Sequence, residues 1–76
     1  MKTAIERLSN VLSNTAMPGT CEASLAILRN LPIREQKRAA VEFPRAFTYL
    51  AKKYRRFVME VPEAVDAAQA ALDLGL

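Results

Sequence analysis

The apolar positions of this chain recur at helical spacing, and nowhere do they alternate as a half-buried strand would require. Ala4, Ile5, Leu8, Val11 and Leu12 fall at three- and four-residue steps, which predicts a first helix over residues 3–14. Pro18-Gly19 is a strong turn signal and ends that segment. Thr20 is a suitable N-cap for a second helix, residues 21–30, whose buried face would use Leu25, Ile27, Leu28 and Leu31. Pro32 then stops it, because proline removes a backbone donor and restricts the residue before it.

A third helix, 33–42, is short and basic, with Ile33, Ala39, Ala40 and Val41 as its apolar contribution. Pro44 suits the first turn of a fourth helix, 44–58. On a continuous helix Phe47, Leu50, Ala51, Tyr54, Phe57 and Val58 share an arc of roughly 120–140°. The opposite side holds Arg45, Tyr49, Lys52 and Arg56. A fifth helix, 62–74, opens on Pro62-Glu63 and closes before Gly75, as helix termini favour. The expected fold is therefore all-α: a small compact bundle of four to five short helices forming one domain over residues 1–76.

Charge sharpens this picture. The net formal charge of +3 is unevenly spread along the 76 residues. Residues 1–28 carry two basic and two acidic groups. Residues 29–56 carry nine basic groups against Glu35 and Glu42, and residues 57–76 carry four acids and no base. Such segregation points to an anionic partner for the middle segment.

Composition removes most catalytic chemistry. There is no histidine, one cysteine and only two glycines. A Ser–His or Cys–His pair, a usual zinc site, an internal disulfide and a phosphate-cradling loop all lack their residues. Exposed acids at helical spacing have nothing to bury them and raise a pKa. The chain is expected to be no enzyme and to need no metal or cofactor. Cys21 reads as a small core residue beside Leu25 and Leu28.

Two binding readings use one surface made of Arg34, Lys37, Arg38, Arg45, Tyr49, Lys52, Lys53 and Arg56. In the first, a small regulator or inhibitor binds a protein partner stoichiometrically, with Arg and Tyr as anchors. That partner would be acidic or would itself handle nucleic acid. In the second, the surface binds nucleic acid without sequence preference, through phosphate contacts and stacking on Tyr49. A helix-turn-helix reading of helices two and three is disfavoured, because the turn holds Leu31-Pro32 and no glycine. The alanine-rich fifth helix suggests a homodimer contact at Val65, Ala68, Ala71 and Leu72. Without an apolar h-region after Met1-Lys2-Thr3 or a membrane-length apolar run, and with a free thiol, the expected setting is the cytoplasm, with no membrane partner.

Overall fold

A computed structural model describes residues 3–75; Met1, Lys2 and Leu76, which the sequence reading included in its single domain, lie outside them. Among the described residues the secondary structure is entirely helical. Six helices follow in order: α1 (Ala4–Leu12), α2 (Thr20–Leu28), α3 (Ile33–Glu42), α4 (Pro44–Lys53), α5 (Arg55–Glu60) and α6 (Pro62–Asp73).

Thr3 caps α1, its Oγ1 accepting the Glu6 N–H at 3.1 Å. Leu8 and Leu12 are buried, and Ala4, Ile5 and Val11 pack half-buried beside them. Gly19, at φ +88°, occupies the left-handed region that side chains avoid, and reverses the chain into α2. Gly19 thus takes the cap position expected of Thr20. Thr20 is instead the buried first residue of α2, and its hydroxyl turns back to the loop. It lies 2.9 Å from both the Asn14 and Met17 carbonyl oxygens, so its one proton serves either.

The helix expected over 21–30 stops at Leu28, whose carbonyl oxygen accepts the Leu31 N–H at 3.0 Å and a second donor from the next helix. Gln36 of α3 donates through Nε2 to the Leu28 oxygen at 2.7 Å and to the Leu31 oxygen at 3.2 Å. This joins the end of α2 and the turn after it to α3.

Three corners turn the remaining chain. Phe43 (φ −126°, ψ 56°) and Val61 (φ −130°, ψ 55°) adopt nearly the same conformation, each immediately before a proline. The proline ring keeps the preceding residue out of the α region, so each helix ends there and the next begins on the proline. The third corner, Tyr54 (φ −126°, ψ 110°), has no proline after it. It divides the segment expected as one helix over 44–58 into α4 and α5, which raises the count to six.

That division decides the core. Phe57 turns beneath Phe47, with ring centroids 5.5 Å apart and planes at 73°. Phe47, Phe57, Leu8, Leu25, Leu28 and Leu50 are the large fully buried side chains. Val58, placed with them by the continuous-helix reading, is 37% exposed, and Tyr54 is half-buried at the corner. Helix α6 packs on both α3 and α4, and α1 pairs with α2. Small residues make the α3–α6 approach close: Ala39 and Ala40 on one side, Ala64 and Ala68 on the other, all fully buried in one cluster.

Candidate contact surface

Helix α4 buries Phe47 and Leu50 and leaves Pro44, Ala46, Thr48 and Ala51 half-buried along its flanks. The residues that remain exposed are Arg45, Tyr49, Lys52 and Lys53. At 100° per residue these four occupy an arc of about 100° on one side of the helix. The arc contains three cations, one phenol and no carboxylate. The Lys53 ammonium lies 5.7 Å from the centroid of the Tyr49 ring and 5.7 Å from that of Tyr54. It also donates to Tyr49 Oη at 3.4 Å. This hydrogen bond, followed by the charge interaction with the same phenol, raises the Lys53 pKa.

Arg34, Lys37 and Arg38 are exposed on α3. Arg38 approaches Glu35 at 3.8 Å, and Arg34, Glu35 and Arg38 line one shallow depression. Lys37 lines a different one with Glu63, Asp66 and Ala67 of α6. Helices α3 and α4 meet little beyond their shared corner at Phe43, each being applied to α6. The basic residues therefore sit on two helix faces flanking a corner, each with its own neighbours.

Arg56 departs from the expected face. The corner at Tyr54 resets the helical phase, and the Arg56 guanidinium turns toward α2. There it pairs with Glu22 through Nη1 and with Glu60 through Nε at 2.7 Å. Arg29 binds Glu60 from the other side, Nε to Oε1 at 2.7 Å and Nη2 to Oε2 at 3.0 Å. Glu22 near the start of α2 meets Arg56 near the start of α5, and Arg29 just past the end of α2 meets Glu60 at the end of α5. Two acids and two bases thus clasp α2 to α5. The Arg29 hydrogen bond, then that of Arg56, lowers the Glu60 pKa to about 2. The four-residue step from Arg56 to Glu60 was visible in the sequence; the partnership with Arg29 and Glu22 was not, because it depends on the corner.

The four residues of the anticipated dimer contact differ in burial. Ala68 and Ala71 are buried at 0% and 2% exposure, and Val65 and Leu72 are half-buried. Ala68 and Ala71 are thus covered by their own chain, whereas Val65 and Leu72 stay partly exposed. Cys21 is buried beside Ser24, whose hydroxyl donates to the Cys21 carbonyl at 2.9 Å. Burial raises the thiol pKa, the Glu22 carboxylate raises it further, and Arg56 opposes both.

A surface depression of about 500 Å³ lies between α1 and α2 and is lined by residues that include Ala4, Arg7, Val11, Ala23, Ile27 and Asn30. It brings together no pair of groups able to exchange a proton. No described helix is long and apolar enough to cross a membrane. No protein-family model, curated protein or solved structure matches the chain.

Proposed function

We propose that this protein is a non-enzymatic regulator or inhibitor that acts by binding one protein partner stoichiometrically, with the exposed side of α4 as its contact surface. The observation that carries this reading is the grouping of Arg45, Tyr49, Lys52 and Lys53 within one carboxylate-free arc. None of its three cations makes an ion pair among the described residues. Arginine and tyrosine supply contact area at modest entropic cost and are over-represented among residues that dominate binding energy. Unpaired positive charge steers an acidic surface toward them and opposes basic competitors. The setting is a reducing cytoplasm, where Cys21 stays a thiol.

Nucleic acid is the less favoured occupant of this face for two reasons. From Arg45 to Lys53 the helix advances only about 12 Å, a span of three or four phosphates along one strand. Lys53 also lies over the Tyr49 ring, which leaves a poorer platform for a base.

The test is capture from a lysate of the native host, with and without nuclease, by the wild-type chain and by Lys52→Glu/Lys53→Glu. A single protein captured at one-to-one ratio after nuclease, and at least about tenfold less of it with the double variant, supports the proposal. Undiminished capture by the double variant contradicts the α4 surface. Loss of everything captured on nuclease treatment contradicts a protein partner.

A further inference from the structure

Helix α3 turns its small residues inward and its larger aliphatic ones outward. Ala39 and Ala40 are fully buried, whereas Ile33 is 52% and Val41 44% exposed. Ile33, Lys37 and Val41 follow at four-residue steps and form one row, with Arg34 and Arg38 beside it. Helix α6 shows the opposite sign. Its exposed side carries Glu63, Asp66, Gln69, Ala70 and Asp73, and no base. These two strips border one surface, because Lys37, Glu63, Asp66 and Ala67 line the same depression between the helices. No ion pair within 4 Å joins Lys37 to either carboxylate among the described residues.

We infer that this α3–α6 face is the contact of a two-fold homodimer. Under a two-fold axis each surface element meets its counterpart reciprocally. A basic strip beside an acidic one is self-complementary under that operation: α3 of one copy lies over α6 of the second, and the reverse. Ile33 and Val41 then leave water against Ala67 and Ala70 of the second copy. A partner of one sign would not do this. An acidic helix suited to Arg34, Lys37 and Arg38 meets Glu63 and Asp66 alongside, and a basic one meets the converse.

Helices of ten and twelve residues are about 15 and 18 Å long, so the face lies at or below the small end of specific interfaces, about 1,200 Å² in total. The dimer is accordingly concentration-dependent and weakened by salt. The exposed side of α4 is no part of this contact, so a dimer presents it twice, and tethered pairs of sites gain effective concentration.

Sedimentation equilibrium of the full chain at about 50 mM and about 500 mM salt tests this. The expected result is a monomer–dimer equilibrium at low salt whose dissociation constant rises at least about tenfold at high salt. Two folded variants, Arg34→Glu/Lys37→Glu and Glu63→Lys/Asp66→Lys, are each expected to dimerise at least about tenfold less tightly alone. Mixed together they are expected to form a heterodimer with affinity within about threefold of the wild type. A monomer at millimolar wild-type concentration in low salt overturns the inference, whatever the variants do. So does a dimer indifferent to salt, or a mixture of folded variants that associates no better than its components.

Discussion

Phe47 and Phe57 touch edge to face, their centroids 5.5 Å apart, although ten residues separate them. On an unbroken helix that separation is about 15 Å along the axis. The contact therefore exists only because Tyr54 leaves the helical conformation and lets α5 fold back. The same corner fills the core with Phe57, exposes Val58 and sends Arg56 to α2.

Truncating the two phenylalanines should have similar cost. Phe47→Ala and Phe57→Ala are each expected to destabilise the fold by about 3–5 kcal/mol, as for a fully buried aromatic, with Val58→Ala below about 1 kcal/mol. Urea unfolding at equilibrium measures all three. A Val58 cost of about 2 kcal/mol or more would contradict the corner, since that is the cost of truncating a buried valine, as on a continuous 44–58 helix.

The clasp between α2 and α5 predicts a pH dependence of defined sign. Glu60 is held near pKa 2, below its ordinary value of 4.5. A depressed carboxyl contributes stability that is fully present above the unfolded value and is lost as pH falls through the folded one. The difference in urea midpoint between wild type and Glu60→Gln should be constant above pH 4.5 and shrink from there toward pH 2. Other carboxylates titrate in the same range, so the difference, and not the wild-type curve alone, is diagnostic. A difference that stays flat throughout would remove the clasp from the account of stability.

Gln36 offers a separate test of how α2 is held. Its Nε2 supplies the donor for the Leu28 and Leu31 carbonyl oxygens. Gln36→Met keeps the length and loses that donor, and about 1 kcal/mol of stability should go with it. Thermal unfolding followed by circular dichroism reads the change. An unchanged melting temperature would mean that water replaces the side chain without loss.

Cys21 should be slow toward DTNB in the native protein, because the residue is buried and its thiol pKa is raised by burial. The rate should climb with urea in parallel with unfolding. Immediate stoichiometric reaction without denaturant would place the thiol at the surface.

Much of the fold was legible because its signals are local. The stripe of Leu8 and Leu12, the turn at Pro18-Gly19 and the stops before Pro44 and Pro62 depend on a few adjacent residues, and all four appear in the structure. Tyr54 was not legible, since Lys52-Lys53-Tyr54-Arg55-Arg56 contains neither proline nor glycine, and the corner goes with a tertiary contact, the packing of Phe57 on Phe47, that periodicity does not encode. Helical phase was consequently right for Arg45, Tyr49 and Lys52 before the corner and wrong for Arg56 and Val58 after it. The aliphatics of α3 were missed for another reason. Periodicity assigns Ile33 and Val41 to a core, but α3, which packs on α6, buries Ala39 and Ala40 and leaves the larger Ile33 and Val41 exposed.

The most direct measurement on the α4 face is a binding titration of the nuclease-resistant partner against wild type and Tyr49→Ala, repeated across salt concentrations. Tyr49 lies at the middle of the arc and carries no charge, so its removal separates contact from simple attraction. The expected result is an affinity at least about tenfold weaker for Tyr49→Ala, with a salt slope that the substitution leaves unchanged. Equal affinity for the two proteins would contradict α4 as the contact surface.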